Sequence, residues 1–469
     1  MPRSPSRRSR LIPLALGCLV SVATGSNFAG ASNGTTAAAS ADSWSLYHGD
    51  PGGSGDASFI TSVDTAKRAW TSSALNGQLY GEPLVASNDV YVATEQDMVY
   101  ALSASSGAVI WAKHVASAVP SSLLPCGNIS PVVGITGTPV IDSSRNEIFV
   151  VAEELVRARP EHVLVGLNAT SGAIELRRDV DPPGSNPAAL LQRTGLTLDR
   201  GRVVFALGGN YGDCAAYRGR VAAVNEAGSA PAFYTVDAGT GDSQGAIWMG
   251  GAAPVVDASG DIWVGVGNGS VTSANKPYDY SDSALELSPA LRLKQYFAPS
   301  TWAQNNASDL DMSTAPALLG DGQVVLAGKS RIVYLLNGGG LGGIGGQKAS
   351  LASGCSSDID GGSAIVGDTV YLPCLSGPVA VRVGASPPSL RVLWISKKGA
   401  GPPIVAAGLV WTIGQNGSLY GLNPTTGTLR QQASIGAPAN HFPTPGVGDG
   451  LLLATSANRV VAFHARSSG

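Results

Sequence analysis

The chain has 469 residues, of which 13% are charged, with a net charge of -3 and 61 glycines. With no basic run and no acidic tail, this balance excludes the electrostatic footprint of a nucleic-acid-binding protein. Hydrophobic residues make up 44% and fall at regular spacings, which excludes intrinsic disorder.

In chain order, residues 1–41 come first and read as a secretory signal. Arg3, Arg7, Arg8 and Arg10 precede an apolar run over residues 11–22, too short to span a bilayer. Small-residue cleavage signatures stand at Ala29-Gly30-Ala31 and at Ala39-Ser40-Ala41; the second is preferred, so the exported chain is expected to start near Asp42. The destination would be the cell envelope or the exterior, with no transmembrane segment.

Four cysteines remain after that cleavage: Cys126, Cys214, Cys355 and Cys374. An even number in an exported chain points to disulfides, with three pairings open. Cys355 with Cys374 closes the shortest loop and is the first choice, which leaves Cys126 with Cys214. No C-x-x-C spacing supports a zinc knuckle, thioredoxin chemistry or covalent haem.

After "WSLYHGDPGGSG" (44–55) and "AKRAWTSSAL" (66–75), one unit is written again and again. It opens with a small residue and Pro or Gly, then gives strand, tight turn and strand, as in "GEPLVASNDVYVAT" (81–94) and "GTPVIDSSRNEIFVVA" (137–152). Further openings start at Thr194, Ala252, Thr314, Gly361, Gly401 and Pro443. A second hairpin follows each opening; "VYALSASSGAVIW" (99–111), "LVGLNATSGAIEL" (164–176) and "LYGLNPTTGTLRQ" (419–431) share one turn. A lone hairpin is marginal in water, so copies at this spacing must stack.

The expectation is an all-β fold: a single eight-bladed β-propeller of four-stranded antiparallel blades spanning residues 42–469. The last unit ends after "RVVAFHA" (459–465) without an outer strand, and Trp70 occupies the place that Trp111 and Trp394 hold in their blades. The N-terminal strand is therefore expected to close the last blade and cover its edge. Helix is expected to be negligible.

The opening "WSLYHGDPGGSG", the Trp-ended hairpin and the eight repeats resemble the pyrroloquinoline-quinone (PQQ) repeat superfamily. That superfamily includes quinoprotein alcohol dehydrogenases, polyvinyl-alcohol dehydrogenases and a cofactor-free barrel-assembly lipoprotein. The resemblance to the dehydrogenases implies PQQ lying over a tryptophan, with Ca²⁺ held by oxygen ligands beside the quinone. "GAIWMGGAAPVVDASGDIWVGVGNGS" (245–270) implies Trp248 as the floor and Asn268 as a Ca²⁺ ligand. "NASDLDMSTAPALL" (306–319) implies Asp311 as the base, with Asp309 as rival and Asp311 also near the metal. "VVLAGKSRIVYLLN" (324–337) places Lys329 at the quinone, and "GDCAAYRGRVAAV" (212–224) offers Asp213 where the family has a glutamate ligand. The vicinal cysteine pair of many relatives is absent.

The resemblance thus implies an exported dehydrogenase transferring a hydride from an alcohol or polyol, small or polymeric, to PQQ, with a separate electron acceptor. The other implied reading is a cofactor-free propeller that binds or scaffolds envelope proteins. "GGGLGGIGG" (338–346) matches a dinucleotide-binding pattern but precedes no helix. The five histidines show no metal-ligand spacing.

Overall fold

The computed structural model describes residues 42–236 and 241–468; the expected signal at 1–41 lies outside the described residues. Eight antiparallel sheets follow one another along the chain. Blade 1 runs from an inner strand Leu84–Ala86 to an outer strand Val109–His114, and blade 2 from Val140–Asp142 to Ile174–Asp179. Blade 3 runs from Thr197–Asp199 to Ala232–Thr235, blade 4 from Val255–Val256 to Leu293–Ala298, and blade 5 from Ala317–Leu318 to Ala349–Ala352. Blade 6 spans Ala364–Val366 to Pro388–Ile395, and blade 7 spans Ile404–Ala406 to Leu429–Ser434.

Blade 8 begins with Gly446–Gly448, Leu451–Ser456 and Arg459–Ser467, and Ile60–Thr71 pairs antiparallel on its outer edge. The expected closure is present. The closing strand starts earlier than the sequence suggested, because register shifts at Ile60/Ser62, Asp64/Arg68 and Arg68/Trp70 break its alternation.

The repeated sentence acquires a physical meaning at the blade junctions. Trp70 Nε1 donates to the Ala104 carbonyl at 2.7 Å, Trp111 Nε1 to Ala169 at 2.9 Å, and Trp394 Nε1 to Pro424 at 2.8 Å. Each acceptor lies in the outer hairpin turn of the next blade. The glycine of that turn lies against the indole: a Cβ on Gly107 would stand 2.4 Å from Trp70, and one on Gly172 would stand 2.6 Å from Trp111. Both glycines have φ near +70° (+69° and +68°), so conformation and space both require the missing side chain. Turn and tryptophan recur together because each closes the other's blade.

Within blades, the tight turn between the first two strands takes the left-handed pair suited to strand twist. Ser87–Asn88, Arg200–Gly201, Ala407–Gly408 and Asp449–Gly450 all have positive φ at both positions. The glycine-rich stretch at 338–346 is the outer turn of blade 5, and its Gly343–Ile344 adds a parallel strand to the outer edge of blade 4. The one α-helix among the described residues is the short Trp302–Ala307.

The segment 44–56 lies along the inner strands. Ile141, Val256, Ile365 and Val405 donate their amides to the carbonyls of Ser45, Pro51, Ser54 and Gly55, at 2.7–2.8 Å. Trp44 pairs with Val85 in both directions. The segment so satisfies inner-edge donors of blades 1, 2, 4, 6 and 7, which would otherwise face the channel unpaired. The strand count per blade also fixes a polarity. Turns between second and third strands, and connections between blades, share one end of the ring, the mouth.

Candidate functional site

Asp311 lies in the connection between blades 4 and 5, and Lys329 in the turn between the second and third strands of blade 5. Lys329 Nζ sits 2.5 Å from Asp311 Oδ2 and 3.1 Å from Asp309 Oδ2. The backbone holds the two segments together, since the Lys329 amide donates to the Asp311 carbonyl at 2.9 Å. Asn268, in the equivalent turn of blade 4, donates its amide to Asp311 Oδ1 at 2.7 Å and its Nδ2 to Asp309 Oδ1 at 2.9 Å. Its side-chain Oδ1 is buried without a hydrogen-bond partner.

Trp248, in the connection between blades 3 and 4, is half-buried, and the Lys329 ammonium stands 5.5 Å from its ring centroid. Asp213, in the blade 3 turn, accepts from the Tyr217 hydroxyl at 2.7 Å. It makes no direct hydrogen bond to Asn268 or Asp311, but lies close enough to feel Asp309 and Lys329 electrostatically. Cys126 is bonded to Cys214, next to Asp213, and Cys355 to Cys374. The sequence-expected residues of blades 3, 4 and 5 thus meet at one mouth.

Burial raises the Asp311 carboxyl above its ordinary value, against the opposing pull of Lys329. Burial would lower Lys329, but Asp311 and Asp309 outweigh it, so its ammonium is held protonated. Burial also raises Asp213, moderated by the Tyr217 hydrogen bond. Asp309 differs in exposure: its side chain is 73% exposed, against 6% for Asp311.

Residues beyond the sequence reading complete the mouth. Asp360, between blades 5 and 6, is buried and pushed up to about 7 by burial. Arg193, just before the opening of blade 3, is 7% exposed and lies 5.0 Å from the Phe442 ring and 5.9 Å from that of Tyr80. Its Nη2 donates to Asn440 Oδ1 at 3.2 Å. A buried guanidinium with no carboxylate in direct contact is unusual. Its sequence signal was an arginine two residues ahead of an opening glycine.

The donor set suits a hard cation. Asn268 Oδ1 is an orphaned oxygen beside two carboxylates, and hard cations take carboxylate and amide oxygens.

Residues 56–277 match the PQQ_2 family model, described as Outer membrane protein assembly factor BamB. Among solved structures, quinohemoprotein alcohol dehydrogenase ADHIIG from Pseudomonas putida HK5 is similar at TM-score 0.68 and 12% identity, over 92% of this chain and 81% of that one. The quinohemoprotein alcohol dehydrogenase from Comamonas testosteroni is similar at 0.66 and 16%, over 91% and 82%. BamB from Moraxella catarrhalis is similar at 0.54 and 14%, over 85% and 97%. No curated protein matches. At these identities the structural likeness is one of fold.

Proposed function

We propose that this chain is a PQQ-repeat propeller whose mouth is the active site of an exported PQQ- and Ca²⁺-dependent dehydrogenase of alcohols or polyols, a reading supported by the family-model match over residues 56–277 and by the propeller fold shared with quinohemoprotein alcohol dehydrogenases. One observation carries the reading. The carboxylates of Asp309 and Asp311 meet the ammonium of Lys329 beside the orphaned Asn268 Oδ1, with Asp213 within electrostatic reach. A divalent cation would complement these oxygens, and Asn268, Asp311 and Asp213 are the residues that would hold it.

When bound, PQQ supplies a hydride-accepting quinone whose carbonyl the cation polarises. The chain's own residues do the rest. Trp248 would offer an aromatic floor to the quinone, Lys329 a fixed positive charge, and Arg193 a buried cation for an anionic group. Asp311 takes the hydroxyl proton of the substrate. Its burial and its hydrogen bond from the Asn268 amide fix its place in the mouth and favour it over the exposed Asp309. The Cys126–Cys214 disulfide steadies the Asp213 turn. In this reading a separate acceptor would receive the electrons. Export rests on the arginine-led apolar run at the N-terminus. Among the described residues, no helix is long and apolar enough to cross a membrane.

The family model's description favours a second reading, an envelope scaffold without cofactor. Dye-linked oxidation of simple alcohols and polyols, with protein preloaded with PQQ and Ca²⁺, separates the two. The dehydrogenase reading expects turnover that Asp311→Asn lowers roughly a hundred- to ten-thousand-fold. Absence of turnover with every alcohol offered, despite bound quinone, overturns it.

A further inference from the structure

A second set of buried polar groups lies between blades 1 and 2, away from Asp311. Glu95 and Asp97 come from the blade 1 turn, and Glu153 and His162 from the facing strands of blade 2. Their side chains are 0–2% exposed. The backbone of Gly134 gathers them: Glu95 Oε2 accepts from its amide at 2.9 Å, and the Glu153 amide donates to its carbonyl at 3.1 Å. A Cβ at Gly134 would stand 2.7 Å from Asp97 Oδ1.

Hydrogen bonding leaves most of this cluster unsatisfied. Glu95 Oε1, both oxygens of Asp97, both oxygens of Glu153 and His162 Nε2 are buried with no partner. The imidazole is nevertheless oriented. Its Nδ1 faces Asp181 Oδ1 at 2.8 Å, which turns Nε2 toward Glu153 Oε2 at 3.8 Å. A carboxylate behind one ring nitrogen, with the other aimed at buried carboxylates, is the arrangement that prepares a histidine to ligate a metal. The neighbouring cations are engaged elsewhere: Arg177 binds Glu154 and the Val115 carbonyl, and Arg193 lies in the mouth.

We infer that Glu95, Asp97, Glu153 and His162 form a divalent-cation site that staples blade 1 to blade 2, with Asp181 positioning the imidazole. Three carboxylates and one imidazole suit a cation of mixed oxygen and nitrogen preference, such as Mn²⁺ or Zn²⁺. The donors would close on the ion by side-chain rotation, drawing the two blades together. The contrast is Asp257, Asp261 and Glu286, whose ligand atoms already lie within 4.8 Å of one another. There Lys294 Nζ sits 2.5 Å from Asp261 and 2.5 Å from Glu286, so a lysine supplies the charge.

Titration of the chelator-treated protein with Mn²⁺, read by electron spin-echo modulation, tests the site. The residues proposed for the quinone mouth include no histidine, so imidazole-nitrogen coupling separates the two sites. The expected result is saturable Mn²⁺ with imidazole coupling, kept in Asp311→Asn and lost in Glu153→Gln and Asp97→Asn. Asp181→Asn should weaken uptake roughly ten- to a hundredfold, which decides the matter should the other variants fail to fold. Absence of imidazole-coupled Mn²⁺ in the parent overturns the inference. So does coupling that survives Glu153→Gln and Asp97→Asn, or uptake that Asp181→Asn leaves unchanged.

Discussion

Lys329 Nζ and Asp311 Oδ2 stand 2.5 Å apart, tied by a further backbone hydrogen bond between the same two residues. The pair joins the start of blade 5 to its own mouth turn, and Asn268 adds blade 4 by donating to the same carboxylate. Removing one partner leaves a buried charge uncompensated, whereas removing both does not. Lys329→Met is therefore expected to destabilise the protein by roughly 3–5 kcal/mol. Adding Asp311→Asn should recover part of that loss. A double-mutant cycle in urea showing simple additivity would contradict the pairing.

The tryptophan docks make a structural prediction at a site with no chemistry. Gly107→Ala places a Cβ against Trp70 and forces an L-residue to φ +69°. The cost should be roughly 1–3 kcal/mol, from strain and overpacking together. Because Trp70 belongs to the closing strand, the loss should appear as easier opening of the ring, read by hydrogen exchange in Ile60–Thr71. Unchanged protection there would separate the dock from ring closure.

Much of this architecture was legible in the sequence, for reasons tied to particular residues. The openings and the Trp-and-glycine hairpins repeat because each blade meets the same neighbour problem. The absent outer strand after Arg459 pointed to the N-terminal strand. Both disulfide pairings follow the shortest-loop choice. The inner-edge role of 44–56 was not legible, because it rests on backbone bonds to five blades and leaves no side-chain pattern. Glu95 and Asp97 stand far in sequence from Glu153 and His162, so no spacing announced their meeting. Arg193 carries no such signal, because a single arginine beside a turn ordinarily faces solvent.

The buried acids set a pH dependence with a definite sign. Burial pushes Glu82 up to about 8, Glu95 up to about 7 and Glu153 up to about 8. The folded chain therefore keeps protons that the unfolded chain releases above the ordinary carboxylate range. The associated stability is complete below the ordinary carboxylate range and is lost progressively from there as pH rises to about 7–8. In metal-free buffer, the Tm should fall from about pH 5 to about pH 8, and these groups should add no further fall above that. Glu153→Gln should flatten part of that fall, since neither Glu153 oxygen has a hydrogen-bond partner to lose. A Tm that rises with pH over this range would contradict the assignment.

The disulfides differ in what they secure. Cys355–Cys374 closes a short span of 19 residues, whose loss should cost about 3 kcal/mol by chain entropy. Cys126–Cys214 spans 88 residues and should cost somewhat more, about 4–5 kcal/mol. It alone should also loosen the Asp213 turn. Replacing Cys126 and Cys214 by serine should therefore weaken Ca²⁺-supported cofactor uptake, while the Cys355/Cys374 replacement should lower stability alone. Equal effects of both replacements on uptake would contradict the role given to the Asp213 turn.

The most direct measurement is an equilibrium titration of the purified protein with PQQ, with and without Ca²⁺, followed by tryptophan fluorescence and quinone absorbance. If the mouth holds the quinone, micromolar PQQ quenches fluorescence saturably, Ca²⁺ strengthens uptake, and Trp248→Ala abolishes it while Trp394→Ala does not. If micromolar PQQ leaves fluorescence unchanged in the presence of Ca²⁺, the dehydrogenase reading fails and the scaffold reading stands.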